Sequence, residues 1–274
     1  MKLSLGFSPC PNDTYIFESL LFEEILPEIK FDYKMEDVQT LNNWAMNGEL
    51  DITKLSFAAW LQVSDEYQML DAGAALGHAC GPLIIAKAKK KLKELEGKKI
   101  AIPGKHTTAN FLLNFALPFK FEAVEMSFDE IEQAVQNESV DAGLIIHENR
   151  FTYADKGLVK LIDLGEYWEE ETKCPIPLGG IAIKRSFDNK LKASISDAIA
   201  KSVHLANAKP GLSEFIKCNA QEMKVDVMRK HIDLYVNDHS ISLGKSGEKA
   251  ILSMAQIALD KNWIKELPQN PFVK

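Results

Sequence analysis

Short apolar runs and longer stretches of helical period alternate along the chain. KLSLGFS at 2–8 alternates apolar and polar positions, which predicts a first strand. PCPND then breaks it, because Pro9 and Pro11 remove amide donors and fix φ. In TYIFESLLFEEI the apolar positions recur at helical spacing, with Asn12 or Asp13 as the cap and Pro27 as the stop. KFDYKMED predicts a second strand, and Thr40 is placed to cap LNNWAMNG, which stops at Gly48. LDITKLSFAAWLQV begins as a strand and continues as a helix, with Ser56 at the junction.

The same alternation continues. PLIIAK at 82–87 and KKIAIPG at 98–104 predict strands, and HTTANFLLNFAL predicts a helix closed by Pro118. AVEM leads into Ser127-Phe-Asp-Glu130, a capping-box spacing, and VDAGLIIH predicts a further strand. CPIPLGGIAIKRS carries a Pro/Gly-rich connector into another strand, and the chain from about Lys190 is dominated by helical patterns. Strands alternating with helices predict an α/β protein with largely parallel sheets. PLIIAK and GGIAIKRS bracket a βαβαβ-like stretch. The expected organisation is therefore a larger lobe of residues 1–90 plus 179–274 and a smaller inserted lobe of residues 91–178. Two crossings between such lobes would make a hinged cleft.

Composition narrows the function classes. The chain has 274 residues, 46% hydrophobic and 26% charged, the profile of a globular protein with a sizeable core. Its net charge of −7 supplies no global field for nucleic acid, so an anionic ligand must be held by local donors. The run KAKKKLKELEGKK reads as a solvated helix face. Four scattered cysteines show neither C-x-x-C nor zinc spacing, which points to a reducing compartment. The N-terminal apolar stretch is too short for a signal peptide and no run approaches a membrane span, so the expectation is a cytoplasmic protein without membrane insertion.

In open α/β sheets, ligands bind beyond the carboxyl ends of strands. Ser8–Asn12, Lys54–Ser56, Gly104–Ala109 and His147–Glu148 all stand at such ends. In GKHTTA, Gly104 permits a tight turn, and the Thr hydroxyls with the first amides of the helix make an anion site for a carboxylate or phosphate. The competing reading is that Thr107 is only an N-cap. The loop is not a P-loop, since Lys99 stands where the first Gly is required, and no G-x-G-x-x-G supports a dinucleotide. His147-Glu148 is not a zinc-protease motif, because Phe151 occupies the place of the second His. A lone His at a strand end is either a general base or a satisfied structural residue.

FSPCPNDTYIF, TKLSFAAW, PGKHTTA, DAGLIIHENRFTY and the YVN at 235–237 occur together and in order. As a set they resemble the 1,4-dihydroxy-6-naphthoate synthase family of the futalosine route to menaquinone. The resemblance implies a type II periplasmic-binding-protein-like fold, two α/β lobes with an inter-lobe cleft. It implies a lyase that converts cyclic dehypoxanthine futalosine, a small-molecule carboxylate, to 1,4-dihydroxy-6-naphthoate with release of a three-carbon fragment. Neither a metal nor an organic cofactor is implied. It further implies His147 as proton acceptor and Lys54, Leu55, Ser56, Thr107, Thr108 and Ala109 as substrate contacts. Glu148 stays unassigned: neighbours on a strand face opposite sides, and the sequence does not say whether it orients the ring or points away.

Two other classes share such a fold: chorismate dehydratase of the same pathway, and a solute-binding protein without chemistry. Fold alone does not decide among the three. The HTTA and LIIHE motifs favour the synthase.

Overall fold

In the computed structural model, which describes residues 1–220 and 224–274, β1 (Lys2–Phe7) turns through Ser8-Pro9-Cys10 into α1 (Pro11–Phe22). β2 (Lys30–Met35), α2 (Val38–Met46), β3 (Ile52–Ser56) and α3 (Phe57–Trp60) follow, then the short β4 (Tyr67–Met69) and β5 (Ala75–Gly77). The chain next forms β6 (Leu83–Ala86), β7 (Lys99–Ile102), α4 (Thr108–Ala116), β8 (Glu122–Glu125), α5 (Ile131–Gln136) and β9 (Ala142–Ile145). α6 (Asn149–Thr152), β10 (Val159–Asp163) and α7 (Leu164–Thr172) precede the long β11 (Ile176–Lys184) and α8 (Asn189–Ala208). Beyond α8 the described chain is helical, including Val225–Tyr235 and Gly244–Asp260.

Two compact units result, Met1–Gly77 with Pro177–Lys274, and His78–Ile176. In the first, the order is β2-β1-β3-β11-β4, with β5 on β11. β1 is parallel to β2 and β3, whereas β11 runs antiparallel to β3 and β4. Its core joins Leu5, Phe7 and Ile52 of the sheet to Ile16 and Phe17 of α1 and Ile199 and Val203 of α8. The Phe7 and Phe17 rings lie 4.7 Å apart. Burying each such side chain contributes about 1.5–3 kcal/mol.

In the second unit the order is β10-β6-β9-β7-β8. β7 is parallel to β8 and β9, and β6 is antiparallel to both β9 and β10. Leu83, Ile85, Ala101 and Ile145 of this sheet pack on Ile131 and Val135 of α5. The sheets are thus mixed rather than largely parallel. β6 and β11, the strands next to the points where the chain passes between units, are the ones that reverse direction. β6, read from the sequence as the last strand before the inserted lobe, pairs within this second sheet.

Several caps differ from the sequence reading. α2 is capped by Asp37, which accepts from Gln39 N and Thr40 N, so Thr40 lies inside the helix. Ser127-Glu130 forms no capping box; Ser127 Oγ bonds Asp129 instead, and α5 starts one turn later than that box would put it. α1 starts at Pro11 without a side-chain cap. Asp13 lies within the first turn and reaches back to Ser8, because an aspartate there can satisfy amides of the loop that precedes the helix. Among the described residues, no helix is long and apolar enough to cross a membrane.

Candidate functional site

Because β1 and β3 are parallel, Ser8 and Ser56 lie at one edge of the first sheet. Asp13 collects the donors there. Its Oδ2 accepts from Ser8 N at 3.1 Å and Ser8 Oγ at 2.7 Å, and its Oδ1 from Asn12 Nδ2 at 2.8 Å. Lys54 Nζ stands 2.7 Å from Asp13 Oδ1 and 3.4 Å from the Gly73 carbonyl. Burial pushes the Asp13 carboxyl up. The Lys54 charge, its hydrogen bond and the two bonds from Ser8 outweigh that and hold it below its ordinary value.

Lys54 and Ser56 share a strand face, and Leu55 alternates to the other, where it is fully buried. Ser56 is fixed at both ends by Asn42, which donates to Ser56 Oγ at 3.1 Å and accepts from Ser56 N at 3.0 Å. With its oxygen accepting from Asn42, the Ser56 hydroxyl keeps its proton for donation.

In the second sheet, the parallel pairing of β7 and β9 sets their carboxyl ends side by side, one strand spacing apart. β7 ends in Pro103-Gly104, and Gly104 has φ 151°, a backbone open to glycine. Thr107 is the N-cap of α4. Its Oγ accepts from Asn110 N at 3.2 Å and donates to the Gly104 carbonyl at 2.7 Å. That hydroxyl proton is therefore spent on the turn, as the N-cap reading expects. Thr108 and Ala109, both buried, open the helix with their amides at its positive end. Burial, then the Lys105 charge, lower the basicity of His106.

β9 stops at Ile145, so His147 stands past the strand and not in it. Its φ is 54°, the left-handed region that few non-glycine residues occupy and that recurs at functional sites. The Phe128 ring meets the imidazole edge to face at 5.0 Å. Glu148 follows in helical conformation, buried, and a carboxylate oxygen lies within 4.8 Å of a His147 ring nitrogen. Strand alternation therefore does not separate this pair, since both residues lie past the end of β9.

The sequence-predicted residues thus fall into two sets: Lys54, Leu55 and Ser56 at the end of β3, and Thr107, Thr108, Ala109 and His147 at the ends of β7 and β9. Asp13, Asn42 and Phe128 escaped sequence reasoning as supports. For two of them a signal existed. A lysine in the buried strand ITKLS needs an anion nearby. An asparagine on the inner face of α2, fully buried at Asn42, needs a polar partner.

A model of the menaquinone biosynthesis family matches residues 3–260. A relative from Thermus thermophilus, 1,4-dihydroxy-6-naphtoate synthase, is 44% identical over 250 residues, 91% of each chain. One of the same name from Streptomyces coelicolor is 40% identical over 255 residues, 91% of this chain and 90% of that one. A crystal structure of an Archaeoglobus fulgidus protein matches with a TM-score of 0.89 at 35% identity, covering 96% of this chain and 98% of that one. The alkanesulfonate-binding protein of Xanthomonas axonopodis pv. citri matches at 0.70 and 15% identity over 99% of this chain and 96% of that one. That likeness speaks to fold, and the fold is mixed α/β of the periplasmic-binding-protein kind. With a family model that runs nearly end to end and relatives this similar over nine-tenths of their length, the chain belongs to the menaquinone biosynthesis family.

Proposed function

We propose that this chain is a carbon–carbon lyase that converts cyclic dehypoxanthine futalosine to 1,4-dihydroxy-6-naphthoate, with His147 as the base. The observation that carries the reading is local to one sheet edge. A histidine held in left-handed backbone stands two residues past the end of one strand, and the positive end of a helix follows the strand beside it. The names of the two relatives support the synthase over a chorismate dehydratase or a solute-binding protein.

The chemistry suits such an edge. Opening the spirocycle and aromatising the new ring require removal of a proton beside a carbonyl. One placed base does this while the carbonyl receives the electron pair and hydrogen-bond donors stabilise the oxyanion. The substrate's aromatic carboxylate is assigned to the Thr107, Thr108 and Ala109 segment, with the first-turn amides of Thr108 and Ala109 as donors, because Thr107 directs both its amide and its hydroxyl to the Gly104 carbonyl. Lys54, Leu55 and Ser56 are assigned to substrate binding, Leu55 through its backbone because its side chain lies in the core. All four cysteines are free, three of them buried, which supports a reducing, cytoplasmic setting.

The test is turnover of the cyclic futalosine by purified protein, beside its affinity, in wild type and His147→Asn. The expected result is product formation by wild type and a fall of about 10²–10⁴-fold in the variant with binding retained. Near-normal turnover by the variant removes His147 as the base. Turnover of chorismate instead, or binding without product, replaces the synthase reading.

A further inference from the structure

α6 has four residues, none of them fully buried. A helix this short is not held by its own hydrogen bonds. It nonetheless starts two residues after His147, whose backbone conformation persists only where its surroundings impose it. Arg150, on α6, supplies a restraint. Its side chain is 13% exposed, and one guanidinium nitrogen donates to the Gly81 carbonyl while the other lies 3.3 Å from Asp163 Oδ2.

Both anchors are rigid. Asp163 ends β10 and caps α7, accepting from Gly165 N at 2.9 Å and Glu166 N at 3.3 Å. Gly81 precedes β6, and its backbone lies so close to Gly165 that a Cβ there would stand 2.3 Å from Gly165 N. On the other side of the turn, Asn149 Nδ2 donates to the Phe128 carbonyl at 3.3 Å, and the Phe128 ring meets His147. Arg150 N itself donates to the His147 carbonyl at 3.4 Å.

We propose that Arg150 is a positioning residue, whose paired bonds to Gly81 and Asp163 hold the 147–150 turn and thereby one orientation of the His147 ring. The proposal rests on the reading of His147 as the base. The planar guanidinium reaches the two acceptors from separate nitrogens, Nη1 to the Gly81 carbonyl and Nη2 to Asp163, which fixes the plane of the group as well as its position.

The experiment uses Arg150→Met, Arg150→Lys and Asp163→Asn, the last keeping an N-cap for α7. Three quantities are read: kcat and KM for the cyclic futalosine, the NMR signals of the His147 ring (assigned by their loss in His147→Asn), and the effect of Arg150→Met within His147→Asn. Arg150→Met is expected to lower kcat by about 10- to 100-fold at nearly constant KM and to shift or broaden the ring signals. Arg150→Lys recovers part of the loss, Asp163→Asn loses less than Arg150→Met, and in His147→Asn the Met change adds little. An unchanged ring signal, an unchanged kcat, or a full-sized further loss in His147→Asn overturns the proposal. Should Arg150→Met fail to fold, Arg150→Lys and Asp163→Asn carry the same readings. Normal turnover by His147→Asn would sink the base assignment alone, and the ring signals would still decide Arg150.

Discussion

Lys54 of β3 and Asp13 in the first turn of α1 form an ion pair of 2.7 Å with side chains only 7% and 1% exposed. Such a pair is a poor source of stability, since desolvating two charges offsets their attraction, yet breaking it strands a buried charge. Asp13→Asn is therefore expected to destabilise the fold by about 3–5 kcal/mol. Asp13→Leu with Lys54→Met removes the stranded charge but leaves the Ser8 and Asn12 donors without their acceptor, so it should recover part of that stability and no turnover, because Lys54 is assigned to substrate. Recovered turnover in the double variant would reduce the pair to a structural one.

The same pair sets a pH dependence. The folded Asp13 carboxyl titrates below its ordinary value of 3.8, so its contribution is complete above that value and is lost as pH falls through the lower, folded one. Urea midpoints of wild type and Asp13→Asn are expected to keep a constant separation from neutral pH down to about pH 5 and to converge in more acid solution. A separation that widens on acidification would contradict the sign.

The two threonines of GKHTTA should separate. The Thr107 hydroxyl donates to the Gly104 carbonyl and accepts from the Asn110 amide, so Thr107→Val should cost about 1 kcal/mol of stability. Thr108→Val, one residue into the helix, should weaken substrate binding by about 1.5–3 kcal/mol. Calorimetry and chemical denaturation of both variants check this. Unchanged affinity in Thr108→Val would leave only backbone amides as donors in this loop.

The sequence made the alternation of elements, the strand ends and the motifs at them legible, because two periods and a handful of Pro and Gly positions carry that information locally. Strand direction was not legible. β6 and β11 read as ordinary apolar strands, and whether each runs parallel or antiparallel depends on partners distant in the chain. β10 is half-buried and lacks a clear alternation, so VKLID stayed unread. His147 was recognised at a strand end, but its left-handed backbone follows from a turn no local pattern announces. Arg150 sat in plain view within HENR, and its role depended on Gly81 and Asp163, 69 and 13 residues away.

Thiol reactivity offers an independent check of the second unit's packing. Burial pushes the Cys80 thiol up to about 12, with the Arg150 charge opposing, whereas Cys218 is exposed. At pH 8, iodoacetamide is expected to label Cys218 well before Cys80, which reacts only on unfolding. Mass spectrometry of a labelling time course reads this directly. Early modification of Cys80 in folded protein would mean that this region opens far more readily than its burial implies.

The backbone of His147 can be tested apart from its ring. Asparagine tolerates the left-handed region, whereas a β-branched residue is strained there by about 1–2 kcal/mol. His147→Asn should therefore unfold within about 0.5 kcal/mol of wild type, the range of a change without strain. His147→Val should be less stable by about that 1–2 kcal/mol strain cost. Both lose the basic nitrogen, so both should lose turnover, and the difference between them isolates conformation from chemistry. Denaturant midpoints for the pair, measured beside turnover, give the two effects separately. Equal stabilities would mean that the turn relaxes freely around position 147, and the restraint attributed to Phe128, Asn149 and Arg150 would then have no backbone strain to hold.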